Sequence, residues 1–323
     1  MVKALGQAST ADERAAEAAI RAVPDWKNAD MRYTPGIPGV ASPTHRAVDS
    51  QNWFVAKGDA PATCFLKILH ADQSDFIDLD RSVTAARQAS TLGLTPAPLW
   101  HSAPMSAVVF DLLPESWRTA RMDDLRKPDI LEHAIAAKKT LHGSTPFGET
   151  WTVFDRIRFA EKALGDAAIA EVAADGWWMR ECVGDIEAAI IASGFDPKPA
   201  HADGLASNIM IAPDGAVQLV DFDEARNVDP FYDIGILLNE AFQFDSEMQP
   251  ALEIFEGQFR QRSLNRCRLY AIADDLFWGV WGTLMDTVSP RGGVEFLKYA
   301  QWRLLRCRMA LRNPRFEAML RTL

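Results

Sequence analysis

Two short β-prone runs joined by one tight turn constrain this chain more than any other feature. Asn208-Ile209-Met210-Ile211 and Val217-Gln218-Leu219-Val220 flank Pro213-Asp214-Gly215. Asp-Gly between two apolar runs is a strong hairpin signal. The hairpin is entered through Pro199-Ala200-His201-Ala202-Asp203 and left through Asp221-Phe222-Asp223. A returning strand brings its far end back beside the start of the first, so Asp203, Asn208 and Asp221 are expected at one strand-end cleft. Two carboxylates and an amide offer only hard oxygen donors. Magnesium prefers such ligands, with phosphate oxygens and water in its remaining positions.

Phosphoryl transfer needs a carboxylate to orient the attacking hydroxyl and further oxygen ligands to hold the metal on the nucleotide phosphates. The spacing His201-x-Asp203-x4-Asn208 with a following Asp221 reproduces a kinase catalytic loop and its metal aspartate. Asp203 is assigned as the base, and Asn208 and Asp221 as metal ligands. His201 belongs to the catalytic loop as a buttress that hydrogen-bonds rather than carries protons. Asp and Asn are also common turn and cap residues, so the HxDxxxxN spacing alone says little. The hairpin, Asp221-Phe222-Asp223 and Asp229-Pro230-Phe231-Tyr232-Asp233 together argue against that bland reading. A metallohydrolase built on His201 and Asp203 would need more histidines nearby, and the other five of the six are scattered upstream.

The flanking sequence predicts an α+β chain in two parts. A capped helix is expected over about 9–23. Asn52-Trp53-Phe54-Val55, Thr63 to Leu69 and Ala107-Val108-Val109-Phe110 read as strands, with a helix from Leu79 to Leu92 stopped by Gly93 and Pro96. Met122 to His142, Thr152 to Leu164 and Asp166 to Ser193 carry helical periodicity, and everything after Asp229 reads as helical. A small β-rich lobe over 1–113 would thus join a larger helical lobe over 114–323, with the site in the cleft between them.

Lys67 sits in an apolar strand followed by a helix, where a kinase places the lysine that meets nucleotide phosphates. Asp49-Ser50-Gln51-Asn52 is expected to be the turn over those phosphates, with Ser50 and Asn52 as contacts. Phe110-Asp111-Leu112-Leu113 would be the hinge, where backbone groups of Asp111 and Leu113 could hold adenine.

The formal charge of -10, from 34 basic and 44 acidic residues, argues against nucleic acid and hints mildly at a cationic ligand. No apolar run approaches the roughly 18–20 residues of a membrane span, and no signal-peptide core is present at the N terminus. Cys64, Cys182, Cys267 and Cys307 lack CxxC spacing and read as reduced thiols of a cytoplasmic protein. Nothing in the sequence sets an oligomeric state.

These motifs resemble the aminoglycoside phosphotransferase and choline/ethanolamine kinase superfamily, from about residue 48 to 312. The resemblance rests on H-x-D-x4-N, on D-[FYW]-[DEG] at Asp221-Phe222-Asp223, and on D-P-x-x-D-[ILV] at Asp229 to Ile234. It implies a protein-kinase-like bilobal fold, ATP and Mg2+ as cofactors, and a small-molecule acceptor, with Asp233 supporting the catalytic loop. Phe277-Trp278-Gly279-Val280-Trp281-Gly282 with Tyr299-Ala300-x-x-Arg303 looks like the W-G-x-W…Y-A-x-x-R helices of the choline/ethanolamine branch. In that branch the two tryptophans help box a quaternary ammonium, and Trp278 and Trp281 share a helix face here. Core packing is the bland alternative for the pair. Glu240 follows Asp233 where such enzymes carry further pocket residues.

Three departures stand out. Ala202 replaces the usual Asn or Gly, the phosphate turn lacks glycines, and Ser82 stands where an acid should pair with Lys67, leaving Asp75, Asp78 or Asp80 as substitutes. The implied activity is phosphorylation of an alcohol, first of a choline- or ethanolamine-like amino alcohol. Aminoglycosides, sugars and other metabolites remain alternative acceptors, and a catalytically silent nucleotide-binding module is the alternative of another class.

Overall fold

The computed structural model describes residues 2–36, 41–42, 45–46, 48–165 and 173–323. Thr10 accepts a hydrogen bond from the Glu13 N–H while the Glu13 carboxylate reaches back to the Thr10 N–H. This capping box starts the Ala11–Ala22 helix. Ala16, Ala19 and Ile20 of that helix pack onto Trp53, Val55, Leu66 and Val109, the inward residues of a β-sheet.

The sheet is antiparallel and six-stranded, in the order Lys3–Ala4, Met31–Pro35, Ser50–Lys57, Cys64–Leu69, Ala107–Asp111, Pro98–Ser102. Period-two alternation buries Trp53 and Val55 on one strand, and pairing sets Asn52 directly opposite Lys67. The Leu79–Thr91 helix crosses after the Lys67 strand and is capped by Asp78.

The C-terminal part is mostly helical and built around the Gln261–Val288 helix, which is buried along nearly its whole length. Pro230–Ala241, Val153–Leu164, Gly176–Ser193 and Phe296–Leu311 pack around it. Gly235 allows a close backbone approach between Pro230–Ala241 and the Gln261–Val288 helix. A Cβ at Gly235 would lie 2.7 Å from the Cys267 carbonyl oxygen and 2.9 Å from its Cα. The expected hairpin is present as Ile209–Ile211 paired with Val217–Leu219.

Several expectations are corrected. The single helix over 122–142 is a 3-10 turn at Asp124–Arg126 and then a helix over Pro128–His142. Pro128 has no N–H and clashes with a preceding helical turn, which favours it at the start of a helix. Gly176–Ser193 is helical, while residues 166–172 of the expected segment lie outside the described residues. Short strands also escaped the reading. Arg118–Thr119 extends the hairpin, and Lys198–Ala200 pairs with Arg226–Val228 across the base of the loop that begins at His201.

All four cysteines are free. Among the described residues no helix is long and apolar enough to cross a membrane. Gly235→Ala should destabilise the protein by about 1–3 kcal/mol, because both atoms facing the new methyl are backbone. Urea unfolding would show this as a lowered midpoint, and an unchanged midpoint would contradict so tight a helix contact.

Candidate active site

The strand Lys198–Ala200 delivers the chain to His201, and a 3-10 turn over Ala206–Asn208 carries it into the hairpin. Between them the backbone turns sharply at Ala202, whose φ of 58° is left-handed. That conformation costs an L-residue with a Cβ about 1–2 kcal/mol, which explains physically why Asn or Gly suits the position. The strain is held by Asp233. Its Oδ1 accepts from the Ala202 N–H at 2.9 Å and from Lys138 Nζ at 2.7 Å, and its Oδ2 accepts from His142 Nε2 at 2.8 Å. Lys138 Nζ also donates to the Asp203 carbonyl at 3.1 Å. Burial of Asp233 opposes its ionisation, but the Lys138 charge and His142 outweigh burial and hold the carboxyl well below the usual range.

Asp203 and Asn208 come together as the hairpin argument requires. Asn208 Nδ2 donates to Asp203 Oδ2 at 3.1 Å, and the Leu205 N–H donates to Asp203 Oδ1 at 2.8 Å. This leaves the Asn208 amide oxygen as its free donor to a cation. Each ring nitrogen of His201 faces a backbone carbonyl, Nδ1 that of Asp203 at 3.2 Å and Nε2 that of Val220 at 2.9 Å. Its ring meets Phe222 edge-on at 4.8 Å. His201 therefore ties the loop to the end of the hairpin.

Asp221 is left-handed too, at φ 66°, and its side chain is 29% exposed toward the cleft. Lys67 Nζ lies 2.8 Å from Asp221 Oδ1 and 2.7 Å from Asp223 Oδ2. Burial works against the Lys67 charge, but these two carboxylates more than restore it and raise its pKa. Burial and the neighbouring Asp221 push Asp223 up to about 7, with Lys67 opposing. The sequence reading quoted Asp223 in its motif without giving it a place in the site.

The helix acids expected beside Lys67 are elsewhere. Asp78 caps its own helix through the Arg81 N–H, Asp80 meets His101, and the Ser82 hydroxyl donates to the Asp78 carbonyl. Asp75 is exposed. The helix instead sends Arg81 to the Asp223 carbonyl at 3.0 Å. The turn expected over residues 49–52 is instead the start of a strand. Ser50, Gln51 and Asn52 belong to the Ser50–Lys57 strand.

Lys67, Ser50, Asn52, Asp111, Leu113, Asn208, Asp221 and Asp223 all line one interlobe cleft of about 1140 Å³. That is ample for a nucleotide, since small-molecule pockets run to roughly 1,000 Å³. Among the described residues no group of three or more His, Cys, Asp or Glu is arranged to hold a metal. Asn208 and Asp221 would supply two oxygens, which fits Mg2+, an ion usually held by one or two protein carboxylates with phosphates and water.

On the other side of Asp203, Trp278 and Trp281 meet edge-to-face at 5.2 Å, and Tyr299 lies 6.4 and 6.3 Å from them. Trp281 is only 2% exposed and belongs to the core. Glu240 lines a small cavity with Asp203, Trp278 and Tyr299. Burial pushes its carboxyl up to about 7, with Arg306 and Arg303 opposing and Asp203 adding to the rise. Lys138 and His142 were missed from sequence. Their one signal is polarity at buried positions of an otherwise apolar helix face.

Asp233→Asn should cost about 3–5 kcal/mol, because it leaves Lys138 buried without its counter-charge. The Asp233 carboxyl is held below its unfolded value of about 4, so its stabilisation is present above that pH and fades below it. Urea unfolding at pH 7 and at lower pH should show the gap between wild type and variant narrowing with acid. A gap that widens would contradict this.

A profile of the phosphotransferase enzyme family matches residues 41–270. No curated protein matches the sequence significantly. The structure is similar to a choline/ethanolamine kinase family protein from Mesorhizobium loti, with a TM-score of 0.73, 21% identity, and 96% of this chain and 98% of that one covered. It is similar to the choline kinase LicA of Streptococcus pneumoniae at TM-score 0.69 and 18% identity, covering 80% of this chain and 89% of that one. LicA has also been solved in complex with AMP. A GDP complex of aminoglycoside 2'-phosphotransferase-IIIa aligns at TM-score 0.64 and 10% identity over 93% of this chain and 99% of that one. The structural likenesses show a shared fold, and the profile covers well over half of the chain, which belongs to the phosphotransferase enzyme family.

Proposed function

We propose that this chain is an ATP- and Mg2+-dependent kinase that transfers the γ-phosphoryl group to an alcohol hydroxyl, with a choline- or ethanolamine-like amino alcohol as acceptor. The observation that supports this most is the convergence of Asn208, Asp221 and Lys67 on one cleft large enough for a nucleotide, with Asp203 hydrogen-bonded to Asn208. Asp203 orients the acceptor hydroxyl and takes its proton as the oxygen attacks the γ-phosphorus. The new O–P bond forms as the bond to the β-phosphate oxygen breaks, and ADP leaves. Lys67 neutralises phosphate oxygens, and the backbone of Asp111 and Leu113 at the hinge receives the base. Magnesium, held by Asn208 and Asp221, would supply charge neutralisation on the phosphates.

Most of the rate enhancement in such a site comes from positioning and electrostatics rather than covalent chemistry. Asp233, through Ala202 and Lys138, is the support that keeps Asp203 in place. Glu240 and Trp278 form the acceptor end. We place the boundary between the lobes at Leu113, and the free cysteines fit a reducing compartment such as the cytoplasm.

A coupled ADP-release assay across ethanolamine, choline, aminoglycosides and sugars tests the reading. Asp203→Asn should lower kcat about 10²–10⁴-fold, the range for loss of a general base. Turnover that persists unchanged in the variant would remove Asp203 from its role. Binding of Mg·ATP without phosphoryl transfer to any acceptor would favour a silent nucleotide-binding module instead.

A further inference from the structure

The Val153–Leu164 helix directs Arg156 under the Trp278 helix, where the side chain is almost wholly buried. Its guanidinium carbon lies 3.8 Å from the Phe277 ring centroid and 5.1 Å from that of Trp278. Glu224, directly after Asp221-Phe222-Asp223, holds it at 2.6 Å, and it donates to the Tyr232 hydroxyl at 3.3 Å. An aromatic surface of the kind that would attract a ligand cation thus already has a cation of the protein's own. Trp281 is packed against Trp278, Phe296 and Tyr299. The cavity on the Arg156 side has a volume of about 10 Å³, no more than a water occupies.

The Asp203 side of Trp278 differs in chemistry. Its cavity of about 20 Å³ is lined by Asp203, Glu240, Asp274, Tyr299, Arg303 and Arg306, the last donating to the Asn239 carbonyl at 2.9 Å. Arg303 is already bound to Asp274 and Asp275. Glu240 Oε1 is buried there without a hydrogen-bond partner among the described residues. An orphaned buried acceptor calls for a donor. A primary ammonium brings three N–H donors in a head about the size of one water. A quaternary ammonium brings none, and its methyl groups exceed the space.

We propose that Arg156 fills the aromatic seat from within, and that the acceptor presents a primary ammonium to Glu240 rather than a quaternary ammonium to Trp278 and Trp281. This rests on the amino-alcohol reading above and selects within it. Arg156 acts as a specificity residue through Trp278, and Glu240 is the contact to the ammonium.

The test is calorimetric titration of the full chain with Mg·ADP present, using ethanolamine, N-methylethanolamine, N,N-dimethylethanolamine and choline. Affinity should fall along that series, with choline at least about tenfold weaker than ethanolamine. Glu240→Gln should remove this preference. The variant Arg156→Leu, which leaves Glu224 paired with the buried Arg226 at 3.0 Å, should shift the ratio toward choline by about tenfold. Choline binding as tightly as ethanolamine to the wild type would overturn the inference, as would a preference unmoved by Glu240→Gln. Binding of none of the four would overturn the ammonium assignment. Asp203-dependent phosphorylation of another alcohol would, in that event, leave the kinase reading standing.

Discussion

One buried carboxylate holds the loop from His201 to Asn208 in shape. Asp233 sits in the first turn of the Pro230–Ala241 helix with no exposed surface. It gathers the Ala202 N–H, Lys138 and His142, and so ties that helix, the Pro128–His142 helix and the loop into one unit. A left-handed alanine persists only where its surroundings over-determine it, and here they do. The same helix start is anchored a second time through Asp229, whose carboxylate receives Arg266 and the Tyr270 hydroxyl of the long Gln261–Val288 helix. The loop bearing Asp203 and the helix bearing Trp278 are therefore referenced to one rigid corner.

The charges in the cleft follow from this scaffold. Lys67 is delivered from a central strand, and Asp221 and Asp223 from the end of the hairpin. Three ionisable groups with little solvent around them are tolerable only as a mutually compensating set. Phosphate oxygens entering the cleft would compete with the two carboxylates for the same lysine. A cation bound to Asp221 would repair the balance. The acceptor side is arranged in parallel, with Arg156 compensated by Glu224 and with Arg303 by Asp274 and Asp275.

The hairpin and the residues flanking it were legible because turn chemistry and strand patterning are local signals. Asp203, Asn208 and Asp221 sit where the folding-back of two strands requires. The partners of Lys67 were not legible, since no spacing rule reveals that a helix N-terminal aspartate will be used up as a cap. Asp78 shows this case. Asn52 reads as a turn residue in the sequence, but register pairs it with Lys67, and register depends on the neighbouring strands. Lys138, His142 and Arg156 escaped for a common reason. A cationic residue on an amphipathic helix reads as a solvent-facing one, and only the packed partner across the interface reverses that. The tryptophans show the converse, because helical spacing put them on one face without saying how fully Trp281 would be enclosed.

The central claim is that Asp203 directs a phosphoryl group onto an alcohol. Phosphorus NMR of a reaction containing the protein, Mg·ATP and ethanolamine tests it most directly, because the product's bond is observed rather than inferred from ADP. A phosphate monoester resonance that grows as the γ-phosphate signal declines, and is absent with Asp203→Asn, is the expected result. Growth of inorganic phosphate alone, or an ester signal that survives the substitution, would contradict it.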